Sequence, residues 1–178
     1  MMQPPLTYPI ELDALAIEQV LPHRGEILCV KRLVVLGFNH YVGYAVWTDD
    51  LPILQGHFPG MPMVPGVLLL EAVAQVAGAG MLVGDDLARG MRDSHVGVLA
   101  GVRKCSFKRP VLANETVKIE ARSRQMSPTA AFITGQLWID AEEVAYVEIL
   151  VINTPREALA ATLDAPMPRS SAWPDGSS

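Results

Sequence analysis

The feature that most constrains the fold is a continuous apolar segment, residues 66–83, which has helical length and almost no polar side chain. Pro65 suits a helix start and Gly84-Asp85-Asp86 suits a helix end, so we predict a helix over 66–83. A helix that is apolar on every side has to be buried on nearly every side. Alanine and glycine are frequent in its second half, so other backbone can approach it closely.

The segments on either side of this helix have the composition of β-strands. Two runs precede it and predict a hairpin, residues 27–36 and 41–48. Four runs follow it, at residues 95–107, 116–126, 130–140 and 144–153. Short turns between successive strands predict antiparallel pairing. Because one sheet can bury an apolar helix only by wrapping round it, we predict an α+β fold: an antiparallel sheet of five to six strands around a long central helix.

Three further segments have simpler signals. Residues 12–20 have helical apolar spacing and stop at Pro22, which predicts a short first helix. The stretch 49–65 is rich in Gly and Pro and is expected to be extended and irregular. Residues 85–94 are expected to form a polar loop.

The length of 178 residues favours one domain with ragged ends. We place this domain at residues 1–154 and a C-terminal extension at 155–178. Within the extension, residues 154–163 predict an amphipathic helix, and 164–178 are rich in Pro, Gly and Ser and predict a disordered tail.

Composition argues against several classes of function. The chain has 14 Lys and Arg against 19 Asp and Glu, and a net charge of −5 gives no overall attraction to nucleic acid or to an anionic membrane. Glu71 and Gln75 interrupt the apolar segment, so we predict a core helix and no membrane span. Cys29 and Cys105 stand alone and the N-terminus has no signal-peptide pattern, which favours the cytoplasm.

Glu71 and Gln75 are the functional polar side chains of the central helix. They are four residues apart and therefore lie on the same helix face. A buried carboxylate is costly without a partner, and burial raises its pKa toward the range useful to a general acid. The alternative is a structural glutamate that accepts hydrogen bonds from a neighbouring loop.

His57 lies in the turn Gly56-His57-Phe58-Pro59-Gly60, just upstream of the same helix. The flanking Gly and Pro restrict the backbone, and Phe58 can anchor the turn, which fixes the direction of the imidazole. The amide of Gly66 is unpaired at the positive end of the helix dipole, so it can bind a carbonyl that becomes an oxyanion. For Gly66 the alternative is a conformational role at the helix start.

No other catalytic motif is present in the sequence. The four histidines form no HExxH-type pair, and there is no GxSxG, P-loop or strand-linked GxGxxG. The pattern therefore predicts an acid/base site without a metal ion or a redox cofactor.

Four blocks of the sequence together resemble one known family. In chain order they are Leu21-Pro22-His23-Arg24, residues 55–60, residues 64–75 and Phe107-Lys108-Arg109-Pro110-Val111. Over roughly residues 12–153 the chain is similar to the hotdog-fold 3-hydroxyacyl-[acyl-carrier-protein] dehydratases of type II fatty acid synthesis. The block from His57 to Glu71 is the most specific of the four.

The resemblance implies a homodimer with a continuous sheet, commonly assembled into a trimer of dimers, with active sites at the dimer interface. There His57 removes the proton from C2, and the partner subunit's Glu71 helps to expel the C3 hydroxyl as water. The Gly66 amide polarises the thioester carbonyl, and Gln75 orients Glu71 or a water molecule. The candidates for the apolar lining of the substrate tunnel are Phe58, Val64 and Val67.

The resemblance also implies a partner, an acyl carrier protein that presents the acyl chain on phosphopantetheine. Such carriers are strongly acidic, so a basic patch is expected near the tunnel mouth. Residues 101–125 hold seven of the 14 basic residues and only two acidic ones. The predicted contact residues are Arg103, Lys104, Lys108 and Arg109. The alternative is an ordinary solvated strand face.

Several related functions stay open at this point. A hotdog thioesterase would use a similar carboxylate to activate water, but thioesterases of this fold usually lack the His-Phe-Pro turn. Isomerisation of the trans-2 to the cis-3 enoyl product would use the same acid/base pair. A non-catalytic acyl-carrier-binding subunit would be free to lose His57 or Glu71, and both are present. Acyl chain length also stays open, since Val98 stands where many members carry an aromatic gate residue.

Overall fold

Helix α3, Gly66–Gly84, is the centre of the structure, a computed structural model that describes residues 6–164. Eleven of its 19 residues are buried, and the less buried positions, among them Val67, Glu71 and Ala74, share one face of the helix. Its length and apolar composition alone would suit a membrane span, but half of it is buried against the rest of the chain. The predicted central helix is therefore confirmed as a core helix.

The sheet has seven strands in the order β1-β2-β3-β5-β6-β7-β4, and all neighbours pair antiparallel. Strands β2 to β7 all contact α3, so the sheet wraps round the helix as predicted. The strand number is one more than the upper predicted value, because a three-residue strand pairs with β2 at the sheet edge. The strands are β1 (Ile10–Leu12), β2 (Val30–Gly37), β3 (His40–Ala45), β4 (His95–Phe107), β5 (Val117–Ser127), β6 (Ala130–Ile139) and β7 (Glu142–Pro155).

Close approach between α3 and the sheet depends on glycine at the contact points. Gly80 of α3 lies against the ring of Tyr41 in β3, and a Cβ at this position would clash with that ring. In the opposite sense, Gly43 of β3 makes room for the side chain of Val76. The small residues predicted to keep the helix thin therefore have partners in the structure.

The short helices differ in part from the prediction. α1, Ala14–Val20, begins two residues later than predicted, because the Asp13 side chain accepts a hydrogen bond from the amide of Ala16 at 2.8 Å and caps it. The stretch 49–65 is not wholly irregular, since Pro52 at a helix start and the buried Leu54 support α2, Pro52–His57.

The predicted polar loop 85–94 contains α4, Asp86–Met91. The Asp85 side chain accepts hydrogen bonds from the amides of Leu87 and Ala88, a helix N-cap within a sequence that looked like a loop. The predicted last helix is present as α5, Arg156–Asp164. Apart from Asp164, the predicted disordered tail lies outside the described residues.

Candidate active site

His57 is the last residue of α2, and the chain then turns at Phe58-Pro59-Gly60 toward α3. Gly60 has φ of 79°, a left-handed conformation that glycine adopts without steric cost. Beyond the turn, the amide of Val64 donates to the carbonyl of Val111 at 2.8 Å. These contacts fix the segment between His57 and α3 against the chain that leads into β5.

One hydrogen bond orients the imidazole of His57. Its Nδ1 lies 3.1 Å from the carbonyl oxygen of Met63. Because a carbonyl oxygen can only accept, Nδ1 carries the proton and Nε2 is the basic nitrogen of the neutral ring. The side chain is exposed in the single chain, with the Phe58 ring 4.3 Å away between centroids. His57 thus has the free basic nitrogen that a general base requires.

Glu71 lies in the second turn of α3, and its carboxylate is partly buried. Oε1 accepts a hydrogen bond from Nε2 of Gln75 at 2.8 Å and lies 3.3 Å from Nε2 of His23. The interaction with His23 is the largest cause of a pKa below the ordinary carboxyl value, and Gln75 adds to it, whereas burial acts in the opposite direction. The predicted rise in the pKa is therefore wrong for the single chain, because the two donors outweigh desolvation.

Gln75 is buried, with 1% of its surface exposed, and its amide is fully used. Oε1 accepts from the amide of Cys29 at 2.9 Å, and Nε2 donates to the carbonyl of Ile27 at 2.6 Å as well as to Glu71. The three bonds fix which end of the side-chain amide faces Glu71. Gln75 therefore ties the carboxylate to the segment that leads into β2.

His23 is the residue at this site that sequence reasoning did not single out. It lies 48 residues before Glu71, just after α1, and reaches the carboxylate from outside α3. The spacing of polar residues along α3 does not indicate this contact, because His23 lies outside the helix. The available signal was the Leu21-Pro22-His23-Arg24 block, which was used only to establish the resemblance.

Gly66 is the first residue of α3, so its amide has no acceptor within the helix. A Cβ on Gly66 would lie 2.6 Å from the Phe107 ring, so a larger residue here would have to displace that half-exposed ring. Gly66 lines a cavity together with His57 and Val64. The other two predicted tunnel residues, Phe58 and Val67, have exposed side chains and do not line this cavity.

His57 and Glu71 are not brought together within one chain. Among the described residues, the hydrogen-bonding partner of His57 is Met63, and those of Glu71 belong to Gln75 and His23. The cavity beside His23 is a different one from that of His57, and it extends along α3 to Gly78, Met81 and helix α4. A single chain therefore presents the base and the carboxylate at separate places.

The four predicted carrier-binding residues fall into two pairs. Lys108 contacts Glu143, and Arg109 pairs with Glu115 and Glu142 at 3.1 and 2.9 Å, so their charges are largely compensated. Both nevertheless border the His57 cavity.

Arg103 and Lys104 have aromatic partners instead of carboxylates. The Arg103 guanidinium lies 5.5 Å from the centre of the Phe132 ring, and the Lys104 ammonium lies 5.3 Å from that of Tyr146. Within residues 6–164 neither cation has an ion-pair partner. These two cations are the uncompensated part of the predicted patch.

A sheet wrapped round a helix that carries a carboxylate, with a histidine in the turn before that helix, defines the class of hotdog-fold acid/base enzymes. A family model described as a FabA-like domain matches residues 21–148. The chain belongs to this family. It is 35% identical over 152 residues to the 3-hydroxyacyl-[acyl-carrier-protein] dehydratase FabZ of Thermomicrobium roseum, covering 85% of this chain and 99% of the relative. The corresponding FabZ of Syntrophotalea carbinolica is 33% identical over 146 residues, covering 82% and 97%.

Solved structures agree on the fold. The dehydratase heterocomplex ApeI:P from Xenorhabdus doucetiae matches with a TM-score of 0.67 and 13% identity, over 89% of this chain and 99% of the other. The virulence protein Cj0977 from Campylobacter jejuni matches with a TM-score of 0.58 and 14% identity, over 80% and 90%. At this level of identity the likeness concerns the fold alone, and the sequence relatives carry the enzyme class, a hydro-lyase.

Proposed function

We propose that the chain removes water from 3-hydroxyacyl groups on an acyl carrier protein and forms trans-2-enoyl thioesters. The observation that carries this proposal is the orientation of His57, whose Nδ1 donates to Met63 and leaves Nε2 as an accessible base. Family membership supports the same reaction, because the FabZ relatives are named for it and match over nearly their whole length.

The reaction is a β-elimination and needs three groups. A base takes the C2 proton, a donor at the thioester carbonyl stabilises the enolate-like charge, and a proton must reach the departing C3 hydroxyl. His57 supplies the base, and the amide of Gly66 at the start of α3 supplies the donor. Glu71 acts at the hydroxyl, held in place by Gln75.

We infer that His57 and Glu71 of different subunits form one site in a homodimer, as the resemblance implies. Their separation within one chain supports this arrangement, because no described contact joins them. Strand β4 ends the sheet order, and its outer edge has no neighbouring strand among residues 6–164. Its exposed apolar side chains, Val98, Leu99 and Val102, fit pairing with a second copy. Further assembly into a trimer of dimers remains part of the proposal.

We also propose that an acyl carrier protein docks beside the His57 cavity. Arg103 and Lys104 offer uncompensated positive charge, which fits an acidic carrier. Lys108 and Arg109 at the cavity border would face the phosphopantetheine arm. The two cysteines, Cys29 and Cys105, are unpaired, which fits a reducing compartment such as the cytoplasm.

The test is hydration of a trans-2-enoyl thioester, followed as loss of the enoyl absorbance, with carrier-linked and CoA-linked substrates of several chain lengths. We expect turnover by the wild type and none by His57→Ala or Glu71→Gln, with both variants folded by circular dichroism. A dimeric wild type that turns over no substrate in the series would refute the proposed function.

Mixing the two inactive variants tests the shared site. After subunits are exchanged, half of the dimers are mixed, and each mixed dimer contains one site with an intact His57 and an intact Glu71. We expect recovery of about a quarter of the wild-type activity. If both residues acted within one chain, the mixture would stay inactive, so the comparison separates the two arrangements.

A further inference from the structure

The departing C3 hydroxyl needs a proton, and the side chains around Glu71 bear on the source of that proton. Two donors face Glu71, His23 Nε2 at 3.3 Å and Gln75 Nε2 at 2.8 Å. A carboxylate between two donors is stabilised in its ionised form, and the lowered pKa of Glu71 agrees with this. An ionised Glu71 holds no proton of its own to give to the hydroxyl.

Of the two donors, His23 is the one whose side chain is of a type that exchanges protons. A side-chain amide such as that of Gln75 does not titrate, whereas an imidazole exchanges protons near neutral pH. Gln75 is also fixed by the backbone of Cys29 and Ile27, so its role is positional.

The second nitrogen of His23 argues against a purely structural role. Nδ1 is buried and has no hydrogen-bond partner among the described residues. A histidine kept for structure normally uses both nitrogens, because an unsatisfied buried polar atom destabilises the folded state. The ring of His23 is therefore engaged by Glu71 and by no other hydrogen-bonding group in residues 6–164.

We propose that His23 is a positioning residue of the active site that holds Glu71 and supplies, through it, the proton for the departing hydroxyl. This role rests on the proposed dehydration. It assigns the acid function to a pair, His23 and Glu71, in which Glu71 contacts the substrate and His23 stores the proton.

The proton transfers balance over one turnover. His57 takes the C2 proton, and the C2–H electron pair becomes the C2=C3 double bond. The C3–O bond breaks with its electron pair on oxygen, which receives a proton through the Glu71 carboxylate. The proton comes from Nε2 of His23, which is protonated on both nitrogens before the step and neutral after it. Water then leaves. His57 returns its proton to solvent and His23 takes one up, so the enzyme is unchanged.

Other polar and titratable groups surround the pair. On the Glu71 side lie Gln75 and the Cys29 thiol, whose pKa is raised to about 11, mainly by burial. Arg24, next to His23, donates to the carbonyls of Leu21 and His23 and pairs with Glu18. The basic residues that line the same cavity as His23 are Arg92, His95 and Arg156.

The test is a pH profile of kcat for His23→Gln, whose amide nitrogen can take the place of Nε2 and donate to Glu71 but cannot exchange a proton. We expect kcat at neutral pH to fall on the order of 10²-fold, with KM changed by less than about threefold. The alkaline limb of the kcat profile should move to lower pH, because Glu71 then has to carry the proton itself. If the glutamine variant is unstable, His23→Asn, whose shorter amide does not reach Glu71, tests the loss of the contact and of the proton together.

His40→Gln is the matched control. His40 pairs with Glu120 at 2.9 Å on the other face of the sheet, with exposure similar to that of the His23 and Glu71 pair. It should leave kcat and the pH profile unchanged. A His23→Gln enzyme that keeps kcat within about threefold, or loses kcat without a moved alkaline limb, overturns the proposal while leaving the dehydratase function intact. An inactive wild type refutes the dehydratase function, and this role with it.

Discussion

Arg109 and Glu115 form a two-point ion pair at the border of the His57 cavity. Both terminal nitrogens of Arg109 lie 3.1 Å from the two carboxylate oxygens of Glu115, which also accepts the amide of Leu112 at 2.7 Å. The hydrogen bond from Arg109 is the main reason that the pKa of Glu115 lies below its ordinary value. Arg109 thus has a structural task besides any contact with a carrier.

We expect Arg109→Ala to lower the free energy of unfolding by about 1 kcal/mol at neutral pH. Because the folded-state pKa of Glu115 is lowered, the contribution of the pair is fully present above the unfolded carboxyl pKa and is lost as pH falls through the folded value. Urea unfolding of wild type and variant at neutral and acidic pH measures this. A stability difference that persists in acid would contradict the assignment.

Arg103→Ala should affect the use of carrier-linked substrate and leave the stability of the fold nearly unchanged. Its guanidinium lies over Phe132, and no carboxylate of residues 6–164 forms an ion pair with it, so stability should change little. If Arg103 meets an acidic carrier, KM for carrier-linked substrate should rise, more at low salt than at high salt, while KM for CoA-linked substrate stays the same. An equal effect on both substrates would remove Arg103 from the carrier surface.

For Glu71 the sequence predicted the location of the side chain but not the direction of its pKa shift. Its location in an apolar helix was visible in the sequence, and so was the partner on the same helix face, Gln75. The direction of its pKa was not visible, because it depends on His23, which only the folded chain brings to the carboxylate. Burial could be inferred from neighbours in sequence, whereas the donors that outweigh it could not.

At the scale of elements, the contact between α3 and β3 is tight enough to respond to a single methyl group. Gly80→Ala would push a Cβ into the ring of Tyr41, which is buried and hydrogen-bonded through its hydroxyl to Phe38 and Ser123. We expect a loss of about 1–3 kcal/mol in the free energy of unfolding from this overpacking.

Gly78→Ala in the same helix is the control. A Cβ there meets Leu21 at 3.8 Å, an ordinary contact, so the higher helix propensity of alanine should raise stability by up to about 1 kcal/mol. Thermal unfolding of the two variants should therefore move in opposite directions. Equal shifts would mean that α3 and β3 are less closely packed than described.

The long elements were predictable and the short ones were not. An 18-residue apolar segment and strands of about ten residues carry enough periodicity to be recognised. β1 has three residues and depends on pairing with β2, which sequence spacing does not reveal. The sequence does contain an N-cap signal for α4, Asp85 before Leu87 and Ala88, but the polar composition of the segment predicts a loop.

At the scale of the whole molecule, oligomeric state depends on the outer edge of β4, which pairs with no other strand of residues 6–164. Leu99 lies on this strand, pairs with Val151 on the inner side and is 41% exposed. If a second copy covers the edge, a charge at Leu99 is incompatible with the dimer.

We expect Leu99→Lys to be monomeric by light scattering and inactive as a dehydratase, with unchanged secondary structure by circular dichroism. Met126→Lys is the control, because Met126 is 55% exposed on β5 and lies away from this edge in the sheet order. It should remain dimeric and active. A monomeric Leu99→Lys enzyme with full activity would rule out a shared site.

The strand order has a consequence for synthesis of the chain. α3 leaves the ribosome well before β7, and β4 cannot pair until β7 has been made. Until Pro155 has emerged, the apolar helix α3 lacks part of its cover, so we expect nascent chains to be prone to aggregation. A chain truncated before β7 should therefore accumulate as aggregate instead of as a smaller folded unit. A new molecule is thus protected from aggregation with other chains only once β7 has been synthesised.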